Sequence, residues 1–118
     1  MPNPFGAPEL SVQEVDAMRK AGEELTLLDV REVQEYAVSI PGDDVVQVPL
    51  SVLAAQQLDA FPESLNDKNK PIAVLCHHGM RSAQAVMWMT QNGWTNVKNI
   101  DGGIDAWAHQ IDASIGTY

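Results

Sequence analysis

Apolar and polar positions alternate along this chain with two different periods. Over "SVQEVDAMRKAG", Val12, Val15 and Met18 recur on one face at helical spacing. Ser11 and Glu14 have the spacing of a capping box, and Gly22 is placed to end that helix. "LTLLDV" (25–30) is a short continuous apolar run, the signature of a strand buried on both sides. "REVQEYA" predicts a helical turn or two before Pro41-Gly42 breaks the chain. "VVQV" (45–48) predicts a second strand stopped by Pro49, after which Ser51 is placed to cap a helix through "VLAAQQLDAF". "PIAVLC" (71–76) is the most apolar strand. "SAQAVMWMTQN", from about Ser82, is helical and ends at Gly93. "VKNI" is a last strand, and Gly102-Gly103 turn the chain into a final helix, "IDAWAHQI".

Strands that alternate with helices over short links predict an α/β domain, a parallel sheet with helices on both faces. Residues 1–8 carry three prolines and read as an irregular lead-in, with the domain over 9–118. In such open sheets the functional site lies outside the carboxyl ends of the strands. Asp29 and Cys76 each end a predicted strand at that edge.

Composition narrows the function classes. Hydrophobic residues make up 45% of the 118 positions and charged residues 19%, a globular balance. No apolar run approaches the ~20 residues of a membrane-spanning helix. The N-terminus has neither the basic start nor the apolar block of a signal peptide, so a soluble, cytoplasmic protein is expected. One cysteine cannot form an internal disulfide, which agrees with a reducing compartment. The net charge is −9 and the seven basic residues are scattered, which argues against nucleic acid as a partner.

The chemistry gathers in "VLCHHGMRS" (74–82). A thiolate is the reactive form of cysteine, and its anion needs support. Cys76 stands just before a predicted helix whose first N–H groups lack internal partners and whose dipole is positive at that end. A loop of N–H groups around the sulfur makes an anion nest. Gly79 permits the turn, and Arg81 adds a permanent charge with a fork of donors. A cation in a first helical turn opposes the dipole, so Arg81 predicts a compensating anion: a persulfide, a substrate or the carboxylate of Asp29. Together these are the parts of a covalent cysteine catalyst.

The chain resembles the single-domain rhodaneses, the thiosulfate sulfurtransferase-like family. The resemblance rests on "LLDVREVQEY", "IPGDDVVQVPL", "CHHGMRS" and "IDGGIDAW", four segments in family order over roughly residues 9–107. It implies a single rhodanese-like domain with a central parallel five-stranded sheet. It implies a sulfurtransferase in which Cys76 takes a sulfane sulfur from thiosulfate or a persulfide and passes it to a thiol or cyanide, with no cofactor. By position, the backbone of His77, His78, Gly79, Met80, Arg81 and Ser82 forms the cradle, and Asp29 and Arg31 brace it. The sequence departs from the family at Ser39, where a histidine is usual, and at His77, where thiosulfate-using members often carry arginine. The second departure predicts weak binding of free thiosulfate.

Plainer readings stand beside these. A cysteine ending a strand is by itself most often a small core hydrophobe. His77 and His78 beside Cys76 suggest zinc, but three adjacent residues rarely converge on one ion and no fourth ligand is spaced to join them, so no metal is expected. Trp88, Trp94 and Trp107 read as packing, and His109 as an exposed helix residue. The alternative to a free-standing enzyme is a sulfur-carrier or regulatory module working with a protein donor or acceptor. A phosphatase or arsenate reductase is a third reading. It is disfavoured because only four residues separate Cys76 from Arg81, where cysteine phosphatases have five.

Overall fold

Every strand of the sheet runs in the same direction, and every crossover carries a helix or helical turns. The computed structural model describes residues 3–118. In chain order, β1 (Glu9–Leu10), β2 (Thr26–Asp29), β3 (Val45–Gln47), β4 (Ile72–Leu75) and β5 (Val97–Ile100) form one sheet in the order β1-β5-β4-β2-β3. All its pairings are parallel. The helices are α1 (Val12–Lys20), α2 (Leu50–Gln56), α3 (Met80–Gln91) and α4 (Gly103–Gln110). No helix among the described residues is long and apolar enough to cross a membrane.

The two-residue period of the strands divides the core into two layers. Leu28, Ile72, Val74 and Cys76 pack on one face with Leu53 of α2 and Ala83, Val86 and Met89 of α3. Leu27, Ala73, Leu75 and Ile100 pack on the other with Val12 and Val15 of α1 and Ile104 and Trp107 of α4. Each fully buried aliphatic side chain contributes about 1.5–3 kcal/mol. Cys76 is the next residue in the Ile72, Val74 series, so strand alternation itself aims its side chain toward α3.

The structure adjusts several expected boundaries. The capping box at Ser11 and Glu14 is present in both halves. The fifth strand, β1, has only two residues and pairs with Asn99 and Ile100, too short a segment for a period to register. Pro49, not Ser51, precedes α2. The Ser51 backbone N–H and hydroxyl instead both donate to the Glu32 carboxylate. The helix expected from about Ser82 starts at Met80, because Gly79 takes the left-handed N-cap position. Trp94 and Trp107 are buried, Trp88 is half-buried, and His109 is exposed, as read from the sequence.

Candidate active site

Cys76 follows the last residue of β4, between strands β2 and β5 of the sheet. Asp29 pairs in register with Leu75, so Asp29 and Cys76 do reach the same carboxyl edge. The thiol is not on an open loop: Cys76 is only 1% exposed. The α2–α3 layer closes over it because its side chain continues the buried face of β4. Its Sγ accepts hydrogen bonds from the Gly79 N–H at 3.1 Å and lies 3.2 Å from the Ser82 hydroxyl.

Ser82 is fully buried and links the sulfur to Asn99. The Asn99 amide group donates to Glu9 Oε2 at 2.8 Å and to the Gly79 carbonyl at 3.0 Å, so its Oδ1 must accept from Ser82. One hydroxyl hydrogen therefore serves two acceptors. With a thiol present it points at Asn99 and the S–H can donate to Ser82 Oγ. With an anionic sulfur it can turn to the sulfur. Asn99 is a buried polar residue in an apolar strand, and that misfit in "VKNI" was the sequence signal for it.

The loop is carried by α4 as much as by α3. The Ile104 and Asp105 N–H groups, free because they open a helix, donate to the carbonyls of Cys76 at 2.9 Å and His77 at 3.0 Å. Gly103 (φ +61°) makes this approach possible: a Cβ there would stand 2.4 Å from the Cys76 oxygen and 2.5 Å from the His77 oxygen. Gly79 (φ +103°) has more room on the other side, where a Cβ would stand 3.3 Å from the Gly102 nitrogen.

One charged residue, Arg81, pairs differently from the expectation. Arg81 does not meet Asp29. Its guanidinium grips Glu35 through two bonds of 2.7 and 2.8 Å. This bidentate pair, with the Glu32 N–H, holds the Glu35 carboxyl down to about 2 from an ordinary 4.5. Asp29 is occupied by Arg31, at 3.0 Å from Nε and 2.8 Å from Nη2, and both residues are buried. Arg31 also donates to the Glu35 carbonyl at 2.9 Å, so two ion pairs form one brace under the loop. Glu35 was missed because it lies 46 residues from Arg81 in sequence.

Tyr118 was missed as well. Its hydroxyl accepts from Arg31 at 3.1 Å and donates to Glu35 at 2.9 Å. Its ring stacks on His77 at 3.9 Å between centroids, and His78 stacks on the other face of His77, also at 3.9 Å. Burial and the neighbouring His78 lower the His77 pKa, and its Nε2 is shielded from solvent without a hydrogen-bond partner. Met80 projects outward, 51% exposed. Asp105 of α4 lies beside the two histidines, a neighbour that spacing along the chain did not offer. Ser39 donates its hydroxyl to the Tyr36 carbonyl and lies outside this cluster of residues.

The arrangement can hold an anionic sulfur on Cys76 at the start of a helix and fix the loop that carries it. The family model for the rhodanese-like domain matches residues 11–110. The chain is 34% identical over 118 residues to the adenylyltransferase and sulfurtransferase UBA4 of Debaryomyces hansenii, covering 95% of this chain and 26% of that protein. It thus spans about a quarter of the length of the curated relatives it matches. Among solved structures, a rhodanese-related protein from Thermoplasma volcanium superposes with a TM-score of 0.70 at 30% identity, over 88% of this chain and 93% of that one. A thiosulfate sulfurtransferase from Pseudomonas aeruginosa gives 0.71 at 27% identity, over 87% of this chain and 19% of that one. With its five-stranded parallel sheet and its cysteine loop between β4 and α3, the chain belongs to the rhodanese-like domain family.

Proposed function

We propose that this domain is a sulfurtransferase working through a Cys76 persulfide. The observation that carries the reading is the pairing of the Gly79 N–H and the Ser82 hydroxyl on Cys76 Sγ at the N-terminus of α3. The Cys76 thiolate attacks the outer sulfur of a sulfane donor. An S–S bond forms on Cys76 as the donor's S–S bond breaks, and the departing electron pair leaves with the donor as a thiolate or sulfite. An acceptor thiolate or cyanide then attacks the outer sulfur, and that electron pair returns to Cys76 Sγ. The exchange needs no cofactor and no net oxidant. Gly79 and Ser82 supply donors for the anion in each half-reaction, and the Arg81–Glu35 and Arg31–Asp29 pairs hold the loop in place. No second cysteine exists to resolve the persulfide, so it persists until an acceptor arrives.

Incubation with a persulfide donor raises the intact mass by one sulfur atom, and cyanide or a small thiol removes it. The Cys76→Ser protein folds and does neither. A mass gain that survives in the serine variant, or turnover without a covalent intermediate, sinks the proposal.

A second reading, a module that carries sulfur to or from a protein partner, is favoured by one further observation. The Arg81 guanidinium is already neutralised by Glu35, on a chain of net charge −9, so among the described residues the loop's own arginine is not free to attract a small anion such as thiosulfate. Relative rates with free thiosulfate and with a persulfidated protein separate the two readings.

A further inference from the structure

We propose that His77, His78 and Asp105 form a binding site for a divalent transition-metal ion, of the class of zinc, at the junction of the Cys76 loop and α4. One ligand atom from each residue lies within 4.8 Å of the others. His78 Nδ1 stands 3.8 Å from Asp105 Oδ2. That is too long for a hydrogen bond, but close to the ~3.4 Å that separates two ligands of a tetrahedral ion with bonds of about 2.0–2.1 Å. His109, one helical turn beyond Asp105, stands at a similar distance, 3.6 Å from Asp105 Oδ1. The His109 Nδ1 also lies 2.7 Å from the Asp105 carbonyl; donation there leaves Nε2 with the lone pair. All three histidines of the chain therefore surround one carboxylate, and among the described residues neither Lys nor Arg pairs with it.

Two further features fit an ion better than a plain surface cluster. The Nε2 of His77 is shielded from solvent and makes no hydrogen bond, a state that native structures seldom leave unexplained. The backbone that carries the ligands is also held before any ion arrives. The Asp105 N–H donates to the His77 carbonyl at 3.0 Å, so loop and helix cannot drift apart. The His77 ring is backed by Tyr118, and the exposed His78 ring turns out of its stack on His77 to aim a nitrogen at the ion. The His78 and Asp105 side chains are 64% and 33% exposed, which leaves an open side for the ion to enter and for water to complete its coordination. Two imidazoles and a carboxylate suit zinc, cobalt, nickel or copper and not magnesium or calcium. An ion here ties the residue after Cys76 to α4. Its effect on transfer rests on the sulfurtransferase reading, but the binding does not.

The test separates the two. Tag-free Cys76→Ser protein, which offers no thiolate, is titrated with Zn2+ by calorimetry and with Co2+ by visible absorption. One equivalent is expected to bind, with Co2+ showing ligand-field bands and no sulfur-to-cobalt charge transfer. His78→Ala and Asp105→Asn, both at positions with exposed side-chain surface, each lower the affinity at least tenfold while the far-ultraviolet circular dichroism stays unchanged. Absence of saturable binding, or an affinity untouched by both substitutions, overturns the site. Loss of persulfide formation in the wild type leaves this result standing.

Discussion

At the residue scale, Ser82 is the side chain on which sulfur and scaffold meet. It is fully buried, its hydroxyl reaches both Cys76 Sγ and Asn99 Oδ1, and it has one hydrogen to give. Ser82→Ala removes a donor to the anionic sulfur and leaves Asn99 Oδ1 buried without a partner. Stability falls by about 1–3 kcal/mol, the cost of an orphaned buried acceptor. Persulfide formation slows by roughly ten- to a hundredfold, on the scale seen when one preorganised donor to a reacting anion is lost. Rapid-quench mass spectrometry alongside urea unfolding reads both. An unchanged transfer rate with reduced stability would assign the hydroxyl to the scaffold alone.

At the scale of elements, the loop is shaped by the N-terminus of α4, which lies 27 residues away in sequence and never touches the sulfur. The Gly102-Gly103 pair reads in the sequence as a turn, and the structure adds that Gly103 seats the carbonyls of Cys76 and His77 against helix N–H groups. Gly103→Ala places a methyl inside that contact at a backbone angle of φ +61°. The strain costs roughly 1–3 kcal/mol or displaces the loop. Thermal unfolding and the rate of sulfur loading both fall, although every residue around the thiol is intact. Gly22→Ala, at a similar φ of +70° but in open space, serves as the control: it lowers stability by the backbone term only and leaves loading unchanged.

At the scale of the whole molecule, two ion pairs join strand β2, the turn at Val33–Glu35, helix α3 and the final residue, Tyr118. Because Arg81 holds the Glu35 carboxyl at about 2 instead of 4.5, the folded state releases this proton more readily than the unfolded chain does. The stabilisation is complete above about 4.5 and is lost as the pH falls toward about 2. It amounts to roughly 1–2 kcal/mol, since solvent screens a pair whose arginine is partly exposed. Glu35→Gln should lower stability at neutral pH and flatten its decline between those values, followed by denaturant unfolding at several pH values. A slope that the substitution leaves unaltered would move the acid sensitivity to another carboxylate. The same substitution frees Arg81 to meet an anionic donor, so it, and not Asp29→Asn, is the partner test for Arg81.

Much of this domain was legible in the chain by itself. The two-residue and three-to-four-residue periods marked four strands and four helices, the Ser11–Glu14 box marked one helix start, and the Cys-to-Arg spacing marked the reactive loop. These features depend on neighbours a few residues apart, where local geometry decides the outcome. Tertiary structure decided the partners. Arg81 met Glu35 and not Asp29, Asn99 anchored Ser82, Tyr118 stacked on His77, and Asp105 came to stand beside His78. Each of these joins segments brought together by the strand order β1-β5-β4-β2-β3 and its crossovers. Hydrophobic periodicity states that a strand is buried but not which strand lies beside it. The burial of Cys76 has the same origin: its place in the alternation of β4 aims it inward, and only the α2–α3 layer packed on that face determines that it is covered.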